Sequence, residues 1–185
     1  MKTINVEIKG VGEGLLMHST RGMMVEKVAK KRGEKYDVKE DAELASYRNK
    51  KGDLVVPSRC LKKCILNGAS WYKFGKLSAK QVIAGCTRIE PVDIVLQDFK
   101  DKILKEYEID QRTVVIQQNR IIRSRPLIRE WKLKFDIIYN EKMIGDVDII
   151  RQILEESGQR IGILDNRSQN FGENGNFEVS KFVPK

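Results

Sequence analysis

The 185-residue chain has a single histidine, His18, only three cysteines and four prolines, and no long apolar run. Each shortage excludes something. One imidazole removes most metal sites and Ser-His-Asp chemistry, which use several histidines or a supported triad. Cys60, Cys64 and Cys86 cannot all pair, and the first two, one helical turn apart, lack the further ligands that zinc needs. They read as small apolar residues. No stretch approaches about eighteen consecutive apolar residues, and the opening MKTINVEIKG alternates polar and apolar instead of presenting a signal region. The expectation is no membrane span, no secretion and a place in the cytoplasm.

Cofactor signatures are equally sparse. The glycine-rich stretch from Gly162 to Gly175 lacks P-loop spacing and precedes a strand, whereas nucleotide fingerprints open a helix. Asp146, Asp148, Asp165 and Glu173 are scattered acids of the kind that cap helices and face their dipoles. No cofactor and no metal are expected.

What is present is charge. Apolar residues make up 41% and charged residues 33%, the balance of one soluble globular domain covering 1–185. Thirty-five Lys and Arg against 26 Asp and Glu give +9, and the excess sits in two segments. Arg59 to Lys80 holds six bases (Arg59, Lys62, Lys63, Lys73, Lys76, Lys80) and no acid; Gln111 to Lys134 holds seven (Arg112, Arg120, Arg123, Arg125, Arg129, Lys132, Lys134) against Glu130 alone. Trp71, Tyr72 and Phe74 lie in the first run and Trp131 in the second. Basic segments with stacking aromatics hold single-stranded nucleic acid without reading its sequence, and arginine's planar fork suits phosphate. Solvated basic faces and ordinary core aromatics are the alternative reading.

Along the chain, Ile4, Val6 and Ile8 alternate as a half-buried strand, followed by GVGEG and the apolar cluster Leu15 to Met17. Residues 21–50 read as a mobile charged insertion with helical spacing at Met24, Val28, Ala42 and Ala45. Leu54 to Val56 is a short strand, and Ser58 is placed to cap a helix with Leu61, Cys64, Ile65, Ala69 and Tyr72 inward and Arg59, Lys62, Lys63 and Lys73 outward. A shorter helix runs from Ser78 to Ala84 and ends at Gly85, and a strand runs from Ile89 to Leu96. Thr113 to Ile122 reads as one β-branched strand, and Trp131 to Tyr139 as another with alternating faces. Pro126, between them, suggests a bend or a bulged edge. Asp146 opens a last helix closed by Gly158, and Phe177 to Val183 is the final strand. Strands not strictly interleaved with helices give the α+β class, an antiparallel sheet with helices on one face and inserted loops.

The opening strand with GVGEGLLMHS, the element VVPSRCLKKCIL and the ending GILDNRSQNFGENGNFEV together resemble the repeat-associated mysterious protein superfamily, especially the backbone subunits of CRISPR effector complexes. Its strand-to-helix motif is matched by Pro57, Ser58, Leu61 and Lys62, with Lys63 where that family has glycine. The chain also resembles uncharacterised phage and archaeal-virus proteins with an LLMH-like start, an R-x-R-P motif (Arg123, Arg125, Pro126) and a Gly162 to Arg167 loop. The resemblance implies a ferredoxin-like, RNA-recognition-type core that binds single-stranded RNA or DNA and assembles head to tail into a filament. It places Arg59, Lys62 and Lys63 on the helix facing the strand, Arg120 to Arg129 beside it and Arg167 as a further contact. Tyr72 and Lys73 complete the candidate interface.

Some members of that superfamily cleave RNA through an aspartate or a histidine, and here the histidine can only be His18. The sequence therefore predicts a non-enzymatic, sequence-independent binder of single-stranded nucleic acid that forms a homo-oligomer. A metal-independent RNA endonuclease using His18 and a viral structural or assembly subunit are the alternatives.

Overall fold

The computed structural model describes residues 1–19, 37–116 and 119–185, and for 114–116, 119 and 120 the backbone alone. Met24, Val28 and the side chain of Arg120 lie outside the described residues, as do 21–36 of the anticipated insertion. Its remaining part holds a helix, α1 (Val38–Ala45), capped by Asp37, whose carboxylate accepts from the backbone N–H groups of Lys39 and Glu40.

Period-two alternation does what the sequence requires of it at the centre. Strand β1 (Lys2–Gly10) buries Ile4, Val6 and Ile8, and β10 (Lys132–Tyr139) buries Leu133, Phe135, Ile137 and Tyr139. The two pair antiparallel with Val6 opposite Phe135. The last strand, β11 (Phe177–Pro184), lies against the other edge of β1. On the far side of β10 come β6 (Thr87–Glu90) and β7 (Asp93–Gln97), and beyond β7 the short β3 (Val55–Pro57). The predicted strand from Ile89 to Leu96 is thus two, because Pro91 brings no N–H to the ladder.

Two helices cover the sheet, and both carry an apolar stripe. Helix α2 (Ser58–Gly68) buries Leu61, Cys64 and Ile65; α5 (Asp148–Arg160) buries Ile150, Ile153 and Leu154. Between them in sequence lie a hairpin, β4 (Lys73–Phe74) and β5 (Leu77–Ser78), and helix α3 (Ala79–Cys86). A single turn, α4 (Glu141–Ile144), precedes α5. Reading β6 and β7 as one strand, the order is strand, helix, strand, strand, helix, strand, and the spatial order of the strands is fourth, first, third, second. That is a ferredoxin-like α+β core, as the sequence predicts. None of its described helices is long and apolar enough to cross a membrane.

Caps shift from where the sequence placed them. Pro57, extended at φ −61°, ψ 129°, occupies the cap position of α2, and Ser58 is its first helical residue, its N–H donating to the Val92 carbonyl. Helix α3 passes Gly85 and is closed by Thr87, whose hydroxyl donates to the Ile83 carbonyl. Helix α5 begins two residues after Asp146 and runs past Gly158. Gly158 is there for contact instead: a β-carbon on it would stand 2.1 Å from the Phe177 carbonyl oxygen.

Most of the second basic run, from Arg112 to Arg123 and on to Arg125, lies in a separate three-stranded sheet. What reads as one strand from Thr113 to Ile122 is a hairpin, β8 (Glu108–Ile116) and β9 (Asn119–Ile128), with Arg112 opposite Arg123. The short β2 (Leu15–Leu16) pairs with the other edge of β9. Pro126 therefore sits in the middle strand, not at a bend or edge, tolerated because its carbonyl alone is used, accepting from Met17 N–H at 2.9 Å.

Candidate nucleic-acid interface

The open face of the central sheet, opposite the helices, is the first place to look. Along β1 and β10 it presents Asn5, Glu7, Lys134 and Asp136, none aromatic. Its charges answer one another: Asn5 donates to Asp136, and Lys132 and Lys134 both reach the Asp101 carboxylate, which they hold down near 2. A groove of about 750 Å³ runs over this face, bordered by Glu7, Glu90, Asp136, Lys134 and Lys181. Sheets that bind RNA through their open face do so with stacked aromatics, and this one offers mixed charge, most of it paired within the face.

A second concavity, of about 390 Å³, lies on the helical side. Its first wall is α2, where Cys60, Lys63, Cys64 and Asn67 recur at helical spacing on one face. Its second wall is the glycine-rich loop, Gly162 to Arg167, and its end is closed by His18 and Tyr47. The two glycine-rich segments of the sequence clasp each other to make it. Asp165 N–H donates to the Leu16 carbonyl, Gly175 N–H to the Gly14 carbonyl, and the Asn174 amide to the Glu13 and Gly14 carbonyls. The loop is a fixed wall.

Inside this wall Asp165 is fully engaged. The His18 imidazole, whose Nδ1 lies 3.4 Å from Oδ2, the Arg125 guanidinium at 2.5 Å and the Asn166 backbone N–H hold its carboxyl well below the usual range, against the effect of burial. Burial pushes the Cys64 thiol up to about 12 and raises Cys60, so neither supplies a thiolate near neutral pH. Lys63, Asn67 and Arg167 bring N–H donors to the same cavity. Arg167 Nη1 donates to the Leu164 carbonyl at 2.9 Å and its Nε to the Gln169 side chain at 3.3 Å, which fixes the guanidinium in place.

Of the residues the sequence singles out, the structure brings His18, Lys63 and Arg167 together, with Arg59 exposed one turn earlier on α2. Tyr72 is half-buried and Lys73 exposed, both beyond the end of α2. Two residues are employed elsewhere. Lys62 turns inward, its ammonium donating to the Ile83 carbonyl at 2.8 Å, the Thr87 carbonyl at 2.6 Å and the Thr87 hydroxyl, and burial pulls it down to about 8. It ties α2 to α3 and β6 and is not offered to a phosphate. Arg125 is buried and spans Asp165 and Asp110. Its neighbours on β9 are paired as well: Arg123 lies 3.8 Å from Asp41, and Arg129 reaches Glu13 and Glu108 at 3.3 and 3.1 Å. Trp131 is fully buried against Phe177, so it stacks on core and not on bases.

The inward reading of Lys62 is testable. Lys62→Met leaves three acceptor contacts unfilled and is expected to lower unfolding stability by about 2 kcal/mol in urea titration. Nucleic-acid affinity should stay unchanged; a binding loss in a stably folded variant would return Lys62 to the interface.

No family model matches the chain, and no curated protein matches it by sequence. Its fold does have solved counterparts. One is a chain of the structure described as "Cryo-EM structure of the Type III-B Cmr-beta bound to cognate target RNA", superimposing with a TM-score of 0.61 at 16% sequence identity. The alignment covers 99% of this chain and 60% of that one.

Proposed function

We propose that the protein binds single-stranded RNA along its phosphate backbone, without sequence specificity, as a member of the repeat-associated mysterious protein superfamily and as one subunit of a larger assembly. One observation carries the reading: Lys63 and Arg167, from segments about a hundred residues apart, converge on the helical-side cavity, and neither has an ion-pair partner among the described residues. Two cations around a concavity, one of them held in place, whose one lining acid is already balanced by Arg125, form a site that lacks an anion. The shared fold with a chain of an RNA-bound complex supports RNA as that polyanion. The donors present contact phosphate and sugar, which position a strand without reading it.

The test is anisotropy of labelled single-stranded RNA, single-stranded DNA and duplex DNA over a salt series, with particle size followed by light scattering. Single-stranded RNA should bind most tightly, with affinity falling as a power of salt concentration, roughly 0.7 per phosphate contacted. Absence of binding at low salt, or equal binding of duplex DNA, overturns the reading.

A second reading has its own observation. His18 Nδ1 stands 3.4 Å from a carboxylate, in the cavity that Lys63 and Arg167 line, an arrangement that would orient an imidazole beside a phosphate held by those cations. Incubation of the RNA with protein in EDTA decides between them. Cleavage that disappears in His18→Ala establishes a metal-independent ribonuclease; intact RNA leaves a binding protein.

A further inference from the structure

Phe171 is the most exposed large apolar residue described, at 102% of its reference accessibility. A lone exposed phenylalanine needs no explanation by itself. Three further facts make this one different.

The first is its backbone. Phe171 sits at φ +62°, ψ 23°, in the left-handed region that bulky side chains rarely adopt. A residue held there persists only where its surroundings over-determine it.

The second is that the surroundings do. Asn170 and Gly172 N–H groups both donate to the Arg167 carbonyl, at 2.8 and 3.1 Å, and Phe171 N–H donates to the Ser168 carbonyl at 3.0 Å. Asn174 N–H donates to the Asn166 carbonyl, and Ser168 Oγ donates to Asn176 at 2.7 Å. At Gly172 a β-carbon would stand 1.9 Å from the Asn166 carbonyl oxygen, so the loop closes only with glycine following Phe171. The ring is thus projected into solvent by a pinned, left-handed backbone.

The third is position. Gln169, two residues earlier, accepts from the Asn67 amide at 3.0 Å and from Arg167 Nε at 3.3 Å, the same two donors that line the cavity. The loop that carries Phe171 is therefore tied through Gln169 to two residues lining the cavity, and cations together with an exposed ring are the means by which single strands are held, phosphates on the cations and bases on the rings.

Resting on the reading of the protein as an RNA binder, we infer that Phe171 is a stacking platform for a base of the strand whose phosphates meet Lys63 and Arg167. The sequence shows no trace of it, since a single aromatic among Asn, Gly and Ser forms no pattern. Stacking is indifferent to base identity, which agrees with binding that does not read sequence.

The experiment compares the protein with Phe171→Ala, Phe171→Trp and Phe171→Gly on a short single-stranded RNA and on an oligomer of the same length whose nucleotides are all abasic. Phe171→Ala should weaken RNA binding roughly tenfold while leaving the salt dependence unchanged, because a base contact releases no counterion. On the abasic oligomer it should bind like the unaltered protein. Phe171→Trp should retain affinity and show quenching of its added indole emission on binding. Phe171→Gly should raise Tm, by relieving the left-handed strain, and weaken RNA binding at once. If the unaltered protein binds RNA and Phe171→Ala binds it equally, or loses as much on the abasic oligomer, the inference fails and the RNA reading stands. If the unaltered protein binds no RNA, both fall.

Discussion

Arg125→Ala is expected to lower the free energy of unfolding by about 3 kcal/mol. Its guanidinium is buried, with Nη1 2.5 Å from Asp165 and Nη2 3.5 Å from Asp110. Removing one partner of a buried pair leaves the other charge uncompensated, at roughly 3–5 kcal/mol. Asp165 is about one-third exposed, which places this case at the low end of that range. Arg125→Lys should not restore the loss, because one ammonium cannot span two carboxylates as a planar fork does.

The same contact has a pH signature whose sign follows from Asp165. With His18 and Arg125 beside it the folded carboxyl titrates below its unfolded value of roughly 3.9, so its contribution is fully present above about pH 4. It declines as pH falls further, because the unfolded chain takes up the proton that the folded carboxyl still excludes. Urea titrations at pH 7 and pH 3 should therefore show the unaltered protein losing stability in acid and Arg125→Ala losing less. A difference below about 1 kcal/mol at pH 7 would mean the ion pair is incidental.

The same residue shows what the sequence could and could not disclose. Arg123 and Arg125 read as equivalent members of a basic motif, yet one is half-buried and the other closed over by an acid forty residues away. Asp41, Asp101 and Asp165 neutralise much of the second run from distant points in the chain, and no local charge count can find them. Lys62 and Lys63 are adjacent, about 100° apart on a helix, and only the placement of α3 and β6 decides which turns in. Where one signal dominated, the reading was sound: the period of two at Ile4, Val6 and Ile8 and from Trp131 to Tyr139 defines the two central strands. The division into β8 and β9 escaped because β-branched residues lie on both sides of it with neither glycine nor proline between in the sequence.

That contrast between the two basic runs leads to the sharpest functional prediction. Charge reversal at the cavity, Lys63→Glu with Arg167→Glu, should weaken single-stranded RNA binding at least a hundredfold near 0.1 M salt, since on the proposed reading each change deletes a phosphate contact and adds a repulsion. Neutralising the same pair with Gln should reduce the magnitude of the slope of log affinity against log salt by roughly 1.4, two contacts at 0.7 each. Arg129→Gln, on β9, should change that slope little, because Glu13 and Glu108 already answer its charge in the folded protein. Lys63 and Arg129 are both exposed cations within strongly basic segments, so composition ranks them together. Their surroundings do not: one faces an unbalanced concavity and the other two carboxylates. Should the Arg129 variant lose the larger share of the slope, the strand runs along the three-stranded sheet and the helical-side cavity has another occupant.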